Sequence, residues 1–75
     1  MRHDLFAERL HILRRRHQWT QQELAKRAQV SAITISRLER GETRQVSAEI
    51  VSRLAQALET SIDYLLGLQN EGEGH

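Results

Sequence analysis

Four side chains in one short segment, Ile33, Ser36, Arg37 and Arg40, offer the clearest chemistry in this sequence. Their spacing of three and four residues puts them on one side of a helix turning about 100° per residue. With Ile35 as the inward direction, Leu38 lies about 60° away and the four face outward. An ordinary solvent face seldom mixes a β-branched apolar residue with basic ones. A helix that reads a major groove does, because thymine presents a methyl group and guanine presents N7 and O6 to an arginine fork. On this reading Arg37 takes guanine and Ile33 takes thymine. The plainer reading is a surface helix with scattered arginines and one exposed isoleucine, which is ordinary on any surface.

Such a face needs a scaffold, and the sequence predicts five helices. Asp4, Thr20, Ser31, Ser47 and Ser61 stand where helix N-caps are wanted. The first helix is expected from Asp4 to about Arg16, with Phe6, Leu10 and Leu13 forming one apolar stripe. Thr20-Gln21-Gln22-Glu23 reads as a capping box that opens a second helix ending near Ala28. Ser31 caps a third helix that stops at Gly41. Ser47 caps a fourth, with Ile50, Val51, Leu54, Ala55 and Leu58 on one side. Ser61 opens a short fifth segment, Ile62 to Leu66, stopped by Gly67. Helices two and three are joined by a short turn, the arrangement of a helix-turn-helix, and Ala25 supplies the small residue that a steep crossing requires. Val30, Ile35 and Leu38 then lock the third helix onto the second.

The order and spacing of these pieces carry a resemblance. Thr20-Gln21-Gln22-Glu23-Leu24-Ala25, Val30-Ser31, Ile35-Ser36-Arg37-Leu38-Glu39-Arg40-Gly41 and Asp63-Tyr64-Leu65-Leu66-Gly67 are similar to the Cro/repressor-type helix-turn-helix family, also called the xenobiotic-response-element family. The likeness runs over roughly residues 5 to 67. It implies an all-α fold, a five-helix bundle of the lambda-repressor-like DNA-binding type. It implies base reading by Ala32, Ile33, Ser36 and Arg37, and phosphate contacts from Gln21, Thr34, Arg40, Arg44 and Gln45. Gln21 is also expected to brace the start of the third helix. Arg14 and Glu39 match a structural salt bridge of the family. The helical wheel independently turns Glu39 toward the core side, where a lone carboxylate is costly and demands a cation. Two positions depart from the family pattern. Gln29 stands where glycine is preferred, and a left-handed Gln there costs about 1–2 kcal/mol. Val46 stands where proline is common.

Composition narrows the alternatives. With 75 residues the chain is one small domain, expected to span 1–68 with a disordered polar tail over 69–75. It has no cysteine, which excludes disulfides and thiolate chemistry, and no proline. His3, His11, His17 and His75 have no cysteine companions and share no helical face, so no metal is expected and surface positions are the default. No cofactor is implied. A glycine-rich phosphate loop and a nucleophile-base set are both missing, so an enzyme is not expected. The apolar runs are too short to cross a membrane and the start is charged, which makes a cytoplasmic location the expectation. From Arg14 to Arg44, eight Lys and Arg stand against three acids, a net +5, whereas residues 60–75 carry three acids and no base, a net −3. That asymmetry points one face at a polyanion. Within this stretch Arg15 is expected to be a solvated helix end, and Trp19 a core plug rather than a stacking platform.

One recognition helix covers only a few base pairs, so a homodimer on a pseudo-palindromic operator is expected, with half-sites ~34 Å apart. Ile62, Tyr64, Leu65, Leu66 and Leu68 are the candidate dimer surface. The plainer reading has Ile62, Leu65 and Leu66 closing the core. Three functional readings compete: a stand-alone transcriptional regulator, most simply a repressor; an antitoxin that also binds a protein toxin; and a helical protein-docking module without DNA binding. The basic middle disfavours the third, and the tail is too short and polar to make a convincing toxin-binding arm.

Overall fold

The caps named by the sequence set the architecture. A computed structural model describes residues 3–42 and 46–68. Within them lie five helices: α1 His3–Arg16, α2 Gln21–Ala28, α3 Ala32–Glu39, α4 Ala48–Leu58 and α5 Ile62–Leu65. Among the described residues there is no strand. Thr20, Ser31, Ser47 and Ser61 each accept a hydrogen bond from the third amide of the helix they open, at 3.0–3.1 Å. Glu23 answers at Thr20, accepting from the Thr20 amide at 2.7 Å, which completes the capping box. At α1 the expectation is corrected. The helix begins at His3, so Asp4 lies within it rather than capping it.

The helix ends share one device. In each, the chain turns left-handed at Gln18, Gln29, Gly41, Glu59 or Gly67. The next amide then reaches back five residues: Trp19 to Arg14, Val30 to Ala25, Glu42 to Arg37, Thr60 to Ala55 and Leu68 to Asp63, at 2.9–3.3 Å. These are Schellman closures, which satisfy carbonyls left over at a helix end. Three of the five left-handed residues carry a side chain, which costs each about 1–2 kcal/mol.

The core is built from the apolar stripes. Phe6 and Leu10 of α1, Leu24, Ala25 and Ala28 of α2, Ile35 and Leu38 of α3, Val51, Leu54, Ala55 and Leu58 of α4 and Leu65 of α5 form one buried cluster. Leu13, Val30, Ile50 and Leu66 pack against its edges. Trp19 also packs against it, stacked on His17 at 4.3 Å between ring centroids, with the Arg27 guanidinium 4.4 Å from its ring centroid. Trp19 is thus a plug, as expected. His17 is not a surface histidine: it is half-buried, and its Nε2 lies 3.1 Å from the Leu58 carbonyl oxygen. Arg9 is buried under α5, donating to the Tyr64 carbonyl with its guanidinium 4.1 Å from the Tyr64 ring centroid.

A polar cluster fixes α3 against the other helices. The Glu39 side chain is only 5% exposed. Arg14 grips it bidentately, Nε to Oε2 at 2.7 Å and Nη2 to Oε1 at 3.0 Å, and donates from Nη1 to the Trp19 carbonyl at 2.7 Å. Gln21 Nε2 donates to Glu39 Oε1 at 3.0 Å, and His11 Nδ1 lies 3.1 Å from the same oxygen. Gln21 therefore braces the end of α3 rather than its start. Burial pushes the Glu39 carboxyl up, but hydrogen bonds from Arg14, Gln21 and His11, with the Arg14 charge, outweigh it and hold the group below its ordinary value. The expected Arg14–Glu39 pair is present.

Substitutions at the helix ends and at Glu39 have definite expected outcomes. Replacing Gln18, Gln29 or Glu59 by Gly relieves the left-handed penalty but loosens the unfolded chain, for a net gain of about 0.5–1 kcal/mol and a thermal midpoint several degrees higher. Gly41→Ala lowers the midpoint through backbone strain alone, because an added Cβ there meets nothing within 4 Å; Gly67→Ala lowers it further, because that Cβ would lie 2.8 Å from Leu5 Cδ2. Glu39→Ala strands Arg14 and costs about 3–5 kcal/mol, read as a collapsed urea midpoint. Because the folded Glu39 carboxyl sits below its unfolded value, its stabilisation is complete above about pH 4.3 and fades as the pH falls through the folded value. The acid limb of the stability profile should therefore flatten in Glu39→Gln; an unchanged limb contradicts the assignment.

Candidate nucleic-acid interface

The outer face of α3 follows from how its inner face is used. Ile35 and Leu38 are buried, so the residues between and beyond them turn outward. Ile33 is 66% exposed despite its size and branching. Arg37 is exposed and makes no hydrogen bond or ion pair among the described residues, which leaves its guanidinium fork open. Ser36 is half-buried beside it, with its Oγ accepting from Arg40 Nη1 at 2.8 Å. Ala32, at the first turn, is half-buried and packs against the core, leaving no bulk at the tip of the helix. The four residues expected to read bases thus occur on one helix, three of them at least partly outward.

The residues expected at phosphates divide. Thr34 is half-buried, and its Oγ1 lies 2.8 Å from Ser31 Oγ within the cap of α3. Gln21 is half-buried at the start of α2 and committed through Nε2 to Glu39. Arg40 is exposed and engaged: Nε and Nη2 donate to the two Glu42 carboxylate oxygens at 2.8 and 3.3 Å. Those bonds hold the Arg40 guanidinium above its ordinary value. They hold the Glu42 carboxyl below its own, against a smaller effect of burial, and the charges of Arg40 and Arg37 add to the lowering. Arg44 and Gln45 lie outside the described residues.

Beyond α3, an open hollow lies beside the start of α2, lined by Arg14, Arg15, Gln18, Trp19 and Thr20. It is polar and basic, in keeping with an anionic neighbour. Arg15 and Arg16 are exposed. No group of three metal-ligating side chains occurs among the described residues, and no helix there is long and apolar enough to cross a membrane.

On the far segment, the expected dimer residues separate by exposure. Ile62 is 42% and Leu68 68% exposed, whereas Tyr64 and Leu66 are half-buried. Leu65 is 0% exposed and belongs to the core, so it is not available to a partner. That corrects the expectation for Leu65, which is the one fully buried residue of α5.

Sequence reasoning missed two participants, His11 in the Glu39 cluster and Glu42 at Arg40, and placed Gln21 at the wrong end of α3. His11 carried a usable signal, since it stands one turn before Arg14 on the same side of α1. Glu42 carried another, as the first acid after α3.

Comparison with known proteins converges on this arrangement. A family model described as Helix-turn-helix matches residues 10–65, a span that contains α2, α3 and the Arg14–Glu39 pair. The structure of the P22 c2 repressor protein in complex with synthetic operator 9T superposes with a TM-score of 0.80 at 37% identity, over 87% of this chain and 97% of that one. The N-terminal DNA binding domain of SinR from Bacillus subtilis gives a TM-score of 0.84 at 25% identity, over 92% of this chain and all of that one. The DNA-binding domain of the P22 c2 repressor in solution gives 0.76 at 34% identity, with both chains covered in full. No curated protein sequence matches. The match over residues 10–65 and the repressor-like arrangement of α1 to α5 together establish that this chain belongs to the helix-turn-helix family of DNA-binding transcription regulators.

Proposed function

We propose that the chain is a repressor that binds a pseudo-palindromic operator as a homodimer, with α3 of each copy in the major groove. The observation that carries this reading is the outer face of α3, where a 66%-exposed isoleucine stands beside an arginine that makes no hydrogen bond or ion pair among the described residues. Ile33 meets a thymine methyl and Arg37 forks onto guanine N7 and O6. Ser36 adds a hydroxyl at the next position, and Ala32 allows close approach. Gln21, Thr34, Arg40, Arg44 and Gln45 grip sugar-phosphate and set the register. The similarity to a repressor bound to a synthetic operator supports this division of labour.

Dimerisation rests on Ile62 and Leu68, with Tyr64 and Leu66 at their edges. Two exposed large apolar residues close together in sequence, on a segment whose charged residues are acidic, suit contact with a second copy. The half-sites then lie ~34 Å apart.

Selection of bound duplexes from a random library tests the reading directly. It should return two short inverted half-sites about one helical turn apart. Arg37→Ala is expected to weaken the selected site by about 1–3 kcal/mol and relax one base position, and Ile33→Ala to erase a thymine preference. Arg44→Ala should weaken all duplexes alike and lower the salt slope by about one unit. Binding by all three variants that matches wild type on every duplex would remove α3 from the groove. Sedimentation with increasing concentration should show a dimer that Leu68→Glu splits; a wild type that stays monomeric with and without DNA refutes the dimer.

A further inference from the structure

Arg37 and Arg40 share the outer face of α3 but differ in state. Arg37 makes no hydrogen bond or ion pair among the described residues, whereas Arg40 is held at three points. Two of those points are the oxygens of Glu42, so the guanidinium is presented to a carboxylate in the paired geometry it would adopt on a phosphate. The carboxylate is not placed by chance. Glu42 follows the left-handed Gly41, and its amide is fixed to the Arg37 carbonyl at 3.1 Å by the closure that ends α3. Its backbone is therefore anchored three residues beyond the end of α3, within reach of Arg40, and the charge of Arg37 also bears on it. The pair is exposed, at 58% for Arg40 and 52% for Glu42, so it is weak enough to be broken by a stronger anion.

Resting on the proposal that α3 binds DNA, we infer that Glu42 is an internal competitor for Arg40. It occupies the guanidinium that a backbone phosphate would otherwise take, and so restrains affinity for every duplex, whatever its sequence. DNA that approaches α3 must either detach Arg40 from Glu42 or forgo the contact. In the first case a bare carboxylate is left near phosphates and takes up a cation, which cancels one of the counterions that binding releases. The effect is blind to base sequence because the contact at issue is with phosphate. It holds non-specific binding down while leaving the base-reading fork of Arg37 free.

The test uses the full chain and two labelled duplexes, the site it selects from a random library and a scrambled sequence, titrated by anisotropy over a range of salt. Glu42→Gln is expected to tighten both duplexes by a similar factor, about three-fold at low salt, and to steepen the salt slope by about one unit. Glu59→Gln, which removes the same charge at the end of α4, should move both far less. The inferred route through Arg40 is read from a double-mutant cycle: in an Arg40→Gln background the gain from Glu42→Gln should shrink to that of Glu59→Gln. A gain no larger than the Glu59→Gln control, or one that persists in full without Arg40, overturns the inference. A gain confined to the selected site overturns it too, since that would make Glu42 a base-reading element. A wild type that binds neither duplex refutes the DNA-binding reading itself, and the inference falls with it.

Discussion

The orientation of α3 depends on a buried carboxylate. An eight-residue helix is marginal by itself, and its two core residues, Ile35 and Leu38, fix how deep it sits more firmly than how it is turned. Glu39 supplies the missing constraint. A carboxylate that is 5% exposed cannot tolerate misplacement, because each lost partner leaves a desolvated charge. Its partners come from α1 through Arg14 and His11 and from α2 through Gln21, so satisfying it brings three helices into one relation. Arg14 extends the tie to the Trp19 carbonyl, in the link between α1 and α2. A buried ion pair of this kind adds little net stability relative to an apolar replacement, and its value here lies in specifying one rotation of α3. That rotation is what turns Ile33 and Arg37 outward.

The helix ends show the same trade between stability and shape. Each helix is closed by a left-handed residue, yet only Gly41 and Gly67 adopt that conformation without steric cost. At Gly67 packing adds to the backbone preference, since a Cβ would come within 2.8 Å of the Leu5 Cδ2 methyl, which would have to shift. At Gln29 a strained side chain sits in the turn between α2 and α3, and its carbonyl accepts from Arg53 of α4 at 3.0 Å. The turn is thus held from outside by a helix that is not part of the motif. This explains why an unfavourable residue is tolerated at a position where the crossing angle matters: tertiary contacts over-determine it.

Much of this was legible in the sequence, for reasons that differ by feature. The caps at Thr20, Ser31, Ser47 and Ser61 were readable because capping is local: a hydroxyl and an amide three residues on. The strain at Gln29 was readable from the family pattern, but the same strain at Gln18 and Glu59 carries no mark in residue type, since neither is glycine or asparagine. The Arg14–Glu39 pair was readable because periodicity turns Glu39 inward and a buried acid needs a base. The approach of His11 and Gln21 to the same oxygen was not, since reach between helices depends on crossing geometry that spacing along one chain does not encode. Asp4 was misread because a helix can begin ahead of a good cap. Leu65 was misassigned because a single turn has too few residues for periodicity to separate its inner side from its outer.

Charge is where counting and placing diverge most. The middle of the chain has eight basic residues against three acids, and that +5 sets the long-range field that draws a polyanion in. Pairing leaves the sum untouched but changes which cations can form a hydrogen bond on arrival. Arg14 is consumed by Glu39, Arg40 is held by Glu42, and Arg27 lies over Trp19, whereas Arg37 makes no such contact among the described residues. The encounter and the contact are therefore governed by different subsets of the same charges. A field is a property of the total, and can be read from composition. A contact is a property of a group free to bond at a fixed place: the closure of α3 at Gly41 anchors the backbone of Glu42, the Glu42 carboxylate holds Arg40, and Arg37 makes no hydrogen bond or ion pair among the described residues.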